Sequence, residues 1–138
     1  MSAPERPDTR SFFDTNVVLY LLSAQARRAD RSEALLRAGG IVSVQVLNEV
    51  TSVARKKMKL SWIEIDELLA LVKSCCDVVP LTLQGHELAL KIAQRHQLAV
   101  YDAMICASAV AAGASVLWTE DMNDGQLVEG VRISNPFA

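Results

Sequence analysis

Apolar residues along this chain come in short runs separated by stretches of helical period. Phe12-Phe13 opens a strand that ends at Asp14, and Val17, Leu19, Tyr20 and Leu21 continue as a first helix. Ala29 to Ala38 reads as a second helix, stopped by Gly39-Gly40 because glycine readily takes the left-handed conformation that ends helices. Ile41-Val42-Ser43 is a second strand. From Gln45 to Lys59, Val46, Val50 and Val53 recur at helical spacing. Ser61 with Glu64 three positions on forms a capping box, opening a helix whose apolar stripe is Trp62, Ile65, Leu69, Val72 and Cys76. Val78-Val79 is the core of a third strand. Thr82 caps a helix with Leu88, Ala89 and Ile92 inward, and Asp102 opens a helix of small residues that ends at Gly113. Ser115 to Trp118 is a fourth strand and Val131-Arg132-Ile133 a fifth.

Short apolar strands alternating with helices predict an α/β fold, a mostly parallel sheet covered on both faces. In such folds ligands bind at the carboxyl ends of the strands, near a topological switch point. The 138 residues suit one domain, with residues 1–10 as a flexible polar tail and 11–138 as the folded unit. With 51% hydrophobic and 22% charged residues, wholesale disorder is excluded. A net charge of -2 excludes a protein that coats nucleic acid by bulk charge, though it allows a local site. No apolar run approaches the ~20 residues that span a bilayer, and the N-terminus lacks the apolar segment of a signal peptide. Three cysteines without metal-ligand spacing fit reduced thiols in the cytoplasm.

The acids change the picture. Asp14 stands where the first strand ends, Asp102 at a helix start, and Asp121 just after the fourth strand. All three fall at one edge of the sheet. Glu49, one to two turns into the helix after the second strand, interrupts an apolar stretch and can reach the same edge. Taken singly, each acid has a plain structural explanation: an N-cap, a turn former or a solvated helix face. Taken together, four carboxylates without counter-charges repel and resist desolvation. Either some are protonated or a cation sits among them. Oxygen ligands without His or Cys suit Mg²⁺ or Mn²⁺, ions that activate water and clamp phosphoryl oxygens.

Phe13-Asp14-Thr15-Asn16, Asn48-Glu49, Tyr101-Asp102-Ala103, Thr119 to Gly125 and the closing Ile133-Ser134-Asn135-Pro136-Phe137 resemble the PIN domain, and within it the VapC-type toxin ribonucleases. The resemblance covers nearly the whole chain from Phe12. It implies a three-layer α/β/α domain with a five-stranded parallel sheet of order 3-2-1-4-5. It implies an endoribonuclease using one or two Mg²⁺ or Mn²⁺ ions, acting on a tRNA or rRNA. By position, Asp14, Glu49, Asp102 and Asp121 correspond to the family's metal-binding, catalytic acids. Asn16 corresponds to a residue that orients the first Asp, and Thr119 to a hydroxyl near the site. Asp124 is a supporting ligand or a turn residue. Water activated by the ion would attack phosphorus and leave 5′-phosphate and 3′-hydroxyl ends. The resemblance also implies a homodimer and a cognate antitoxin protein.

Arg55, Lys56, Lys57 and Lys59 form a basic run that either complements a helix dipole or contacts RNA phosphates. Arg27, Arg28 and Arg31 read as an exposed face that could meet RNA or an acidic partner. His86 and His96 read as surface residues and the cysteines as buried thiols. A receiver domain is disfavoured because no Lys follows Lys91, and a haloacid-dehalogenase-type phosphatase because Asn16 stands where its second Asp would be. The alternative that stays open is a catalytically silent PIN-like module that binds RNA or a partner.

Overall fold

The computed structural model describes residues 10–138. The predicted tail therefore lies outside the described residues except for Arg10, which is pinned. Its N–H donates to Ser115 Oγ (3.1 Å) and its guanidinium to the Ala112 carbonyl (3.1 Å). The strands are β1 (Ser11–Phe13), β2 (Gly40–Ser43), β3 (Cys76–Val79), β4 (Val116–Trp118), β5 (Leu127–Val128) and β6 (Val131–Ser134). The helices are α1 (Thr15–Leu19), α2 (Ala26–Arg37), α3 (Val44–Lys56), α4 (Trp62–Cys75), α5 (Leu83–His96) and α6 (Val100–Ala111), with a 3-10 turn over Tyr20–Leu22.

The strands form one sheet of order β3-β2-β1-β4-β6-β5, in which every pairing is parallel except β5 with β6. The expected order 3-2-1-4-5 holds for the five parallel strands. The addition is β5, joined to β6 by Glu129-Gly130, both at positive φ (49° and 86°) as a tight hairpin turn requires. Two residues are too few to show alternation, so the sequence pattern misses this strand. From the central β1 the chain winds one way to β2 and β3, then returns to place β4 on the other side. The carboxyl end of β1 is therefore the switch point.

Phe12, Phe13, Ile41, Leu117 and Ile133 are fully buried and anchor the sheet between the helices. Gly40 allows β1 and β2 to meet. A Cβ there would lie 2.5 Å from the Phe13 ring and 2.6 Å from the Ser11 carbonyl. Because the second atom is backbone, Gly40→Ala is expected to lower stability by about 1–3 kcal/mol. A thermal melt reads this, and an unchanged Tm would contradict it.

Several helix details depart from the sequence reading. α2 begins three residues earlier than expected, since Ala26, Arg27 and Arg28 are all good helix formers. α3 ends at Lys56, so Lys57 and Lys59 lie beyond it, with Lys59 in the left-handed region (φ 54°). In α4 the capping box is present, but Trp62 is 56% exposed and the inward positions are Ile65, Leu68 and Val72. Trp62 instead carries the Arg55 guanidinium, 4.7 Å from its ring centroid. α6 starts at Val100, which puts Asp102 within its first turn. Cys76 and Cys106 are buried, and burial pushes both thiols up to about 12, whereas Cys75 is half-buried. Among the described residues, no helix is long and apolar enough to cross a membrane.

Candidate active site: an acid-lined cleft

The hydrophobic β1 runs straight into Asp14, whose extended backbone ends the strand and caps α1. Asp14 Oδ1 accepts from the Thr15 N–H at 2.7 Å, satisfying one of the donors a helix start leaves open. The Asp14 N–H in turn donates to the Trp118 carbonyl (3.0 Å), tying the end of β1 to the end of β4. The residue after Trp118 is Thr119, which is fully buried.

Thr119 is the hub of the site. Its hydroxyl donates to Asp14 Oδ2 (2.8 Å) and accepts from Asn16 Nδ2 (3.1 Å) and the Asp121 N–H (3.1 Å). Asn16 also donates to Asp121 Oδ2 (3.0 Å) and accepts from the Glu120 N–H (3.3 Å). One short network thus fixes both Asp14 and Asp121.

Asp14, Glu49, Asp102 and Asp121 all line one cleft of ≈ 230 Å³ at the switch point, with Thr15, Asn16 and Tyr101 beside them. Among the described residues, no Lys, Arg or His is part of its wall. Glu49 is held by Gln45, whose Nε2 donates to Glu49 Oε1 (3.0 Å) and to the Tyr101 carbonyl (3.3 Å). Gln45 therefore links α3 to α6, a role that the sequence reading missed. Among the described residues, no three His, Cys, Asp or Glu groups stand close enough together to hold a metal ion as they are placed.

The electrostatics follow from this crowding. Burial is the main cause that pushes the Asp14 carboxyl up to about 6. Hydrogen bonds from Thr119 and Thr15 oppose the shift, and the charges of Glu49 and Asp121 add to it. Asp102 is also raised, by burial first and by Asp121 second. Removing the Thr119 hydroxyl takes away a bond to the charged form of Asp14. Thr119→Val is therefore expected to move the Asp14 pKa above about 6. Carboxyl carbon NMR of Asp14 reads this, Thr119→Ser should restore it, and an unmoved titration would show that the hydroxyl is not the hub.

The remaining predicted residues are placed as follows. Asp124 lies in the turn before β5, where its Oδ1 accepts from the Asn135 N–H (2.9 Å), and it is not among the cleft residues. Glu120 points away from the cleft and accepts from Tyr20 OH (2.8 Å) and Arg28 Nη1 (3.1 Å). Arg55, Lys56, Lys57 and Lys59 are exposed at and beyond the end of α3. Lys56 lies seven residues after Glu49, on the same stripe as Val53 of the cleft wall. His86 is exposed, and His96 is half-buried near Glu129 (3.4 Å).

The fold and site together define an α/β domain with a carboxylate-lined cleft at the carboxyl edge of a parallel sheet. The family model of the PIN domain matches residues 11–123, and the chain belongs to that family. Solved structures share the fold. A toxin–antitoxin complex from Klebsiella pneumoniae superposes with a TM-score of 0.69 at 21% identity, covering 91% of this chain and 97% of that one. VapC20 of Mycobacterium tuberculosis, a toxin that cleaves the sarcin-ricin loop, gives 0.67 at 21% identity, covering 88% and 98%. VapBC2 of Rickettsia felis, bound to a DNA fragment from its promoter, gives 0.67 at 16% identity, covering 92% and 98%. Among curated proteins none matches this chain.

Proposed function

We propose that this PIN domain is a Mg²⁺- or Mn²⁺-dependent endoribonuclease of the cytoplasm, the toxin of a toxin–antitoxin pair, acting as a homodimer. The observation that carries the reading is the cleft itself. Four carboxylates line it, its wall offers no cationic side chain among the described residues, and the most buried acid has its pKa raised to about 6. The donor set suits a hard divalent cation. Thr15 Oγ1, buried in the same wall, has no hydrogen-bond partner among the described residues, and a hydrated ion would give it one. The family and the toxin structures that share the fold support the same reading.

Asp14, Asp102, Asp121 and Glu49 would hold one or two ions, which supply Lewis acidity toward phosphoryl oxygens and a water of lowered pKa. The chain's own groups do the placing. Thr119 and Asn16 fix Asp14 and Asp121 relative to each other, and Gln45 fixes Glu49. Asp14, with its pKa raised to about 6, is ionised at neutral pH at a cost to the fold, and a neighbouring cation would offset that cost. The exposed basic run Arg55, Lys56, Lys57 and Lys59 lies beyond the Glu49 end of the cleft and would meet the RNA backbone there. An antitoxin would silence the cleft by covering it.

The experiment is incubation of the purified protein with total RNA in Mn²⁺. Discrete fragments that disappear with EDTA support the reading. Intact RNA with no stabilisation of the protein by Mn²⁺ would assign the chain to the silent binding modules instead.

A further inference from the structure

A second cavity, of ≈ 550 Å³, lies between the start of α2 and the closing segment of the chain. Its wall includes Arg27, Arg28 and Arg31, together with Gln25, Pro136, Phe137 and Ala138, and among the described residues holds no Asp or Glu side chain. Arg28 is used internally, donating to Glu120 and to Tyr20 OH (2.8 Å) and lying over the rings of Tyr20 and Phe137. Arg31 donates through Nε to the Pro136 carbonyl (3.2 Å) and lies 5.6 Å from the Trp118 ring centroid, which holds its guanidinium in place. Among the described residues, neither Arg27 nor Arg31 has a carboxylate at salt-bridge distance.

Arg27 and Arg28 place positive charge where a helix tolerates it least, and Arg31 follows in the second turn. The first turn of α2 carries the positive end of the helix dipole, contains no acid and has no side-chain cap. The helix dipole therefore gives no reason for the charge of Arg27. Arg27 and Arg31 are four residues apart, so they present their forks on one face. Planar guanidinium groups match phosphate oxygens in pairs. A chain of contacts links the cavity to the acid-lined cleft. Arg28 and Tyr20 grip Glu120, and the next residue is Asp121, whose carboxylate is held by the cleft residue Asn16.

We propose that Arg27 and Arg31 form a phosphate-binding subsite for an RNA strand that runs on from the cleft. The inference rests on the ribonuclease reading. A strand lying across the acids must continue over one rim or the other, and this cavity is the basic surface on the Glu120 side. Arg28, tied to Glu120, orients the wall and is not the anion contact.

The test is binding of a fluorescein-labelled 14-nucleotide single-stranded RNA of mixed sequence to the full chain in EDTA, over a range of salt. Arg27→Glu combined with Arg31→Ala is expected to weaken binding about tenfold whatever the sequence. It should also flatten the slope of log K against log salt by about 1.4, near 0.7 for each lost phosphate contact on a single strand. Arg27→Glu alone should weaken binding while leaving Tm unchanged or higher, because it places an acid in the first turn of α2. Parallel loss of Tm and affinity would overturn the subsite. Unchanged affinity and slope, with Asp14-dependent cleavage intact, would overturn the subsite alone. A wild type that neither binds nor cleaves RNA would overturn both readings. A polyglutamate peptide that binds this cavity more tightly than the RNA would assign it to an acidic protein partner, and so against the proposal.

Discussion

Asp14→Asn is expected to abolish cleavage while making the metal-free protein more stable. Both effects come from one buried carboxylate. Asp14 is 5% exposed and faces Glu49, Asp121 and the Thr119 hydroxyl, so its charge is useful only when a cation neutralises it. An amide keeps the shape and still accepts from the Thr15 N–H, but it is a poor ligand for a hard ion. Loss of several kcal/mol of transition-state stabilisation corresponds to a drop of ~10³-fold or more in rate.

The stability effect has a definite sign. A carboxyl whose pKa rises from 3.8 to about 6 on folding binds its proton more tightly in the folded protein. Its ionisation therefore costs the fold nothing below the unfolded pKa. The cost grows as the pH rises from about 4 to about 6, and it is constant above that. The full cost is about 3 kcal/mol, of which the altered bond to Thr119 returns about 1 in the amide variant. Asp14→Asn should thus melt several degrees above wild type at pH 7.5 in EDTA, and the gap should close by pH 4. A gap that is constant with pH would mean that Asp14 is ionised without penalty.

The second large expected effect is stabilisation by Mn²⁺ or Mg²⁺. An ion present at about 100 times its dissociation constant adds about 2.7 kcal/mol, on the order of 10 °C for a domain of this size. Because Asp14 must lose its proton to bind, the shift should be larger at pH 7.5 than at pH 5. Asp14→Asn should reduce it and Asp124→Asn should not, since Asp124 caps a turn outside the cleft. Differential scanning fluorimetry reads all of this. Absence of any shift at millimolar Mn²⁺ would remove the metal site from the account.

The parts that were legible in the sequence are those fixed by local rules. Phe12-Phe13 running into Asp14, the Gly39-Gly40 stop and the Ser61–Glu64 capping box each combine a local preference with a position, and each is found. Asp102 and Asp121 were readable because strand ends and helix starts share one sheet edge. The parts that were not legible depend on partners distant in the chain. Gln45 looks like an ordinary helix residue until Tyr101, 56 residues on, supplies its acceptor. The direction of Glu120, beside Asp121, is set by Tyr20 and Arg28, 100 and 92 residues away in the chain. Trp62 looks like core because its spacing fits the stripe, but it precedes Ile65 by three residues at the helix start, where Arg55 covers it and the core does not reach. Arg27 and Arg31 carry no motif, and only the return of the chain at Pro136 and Phe137 makes a cavity of them.

The most direct measurement is the chemistry of the ends. Wild type and Asp14→Asn are incubated side by side with total RNA in Mn²⁺, and the fragments are tested for their termini. Hydrolysis by water at an acid-held cation predicts 5′-phosphate and 3′-hydroxyl ends, produced by wild type and absent with Asp14→Asn or EDTA. Cyclic 2′,3′-phosphate ends, or equal cleavage by Asp14→Asn, would contradict the account.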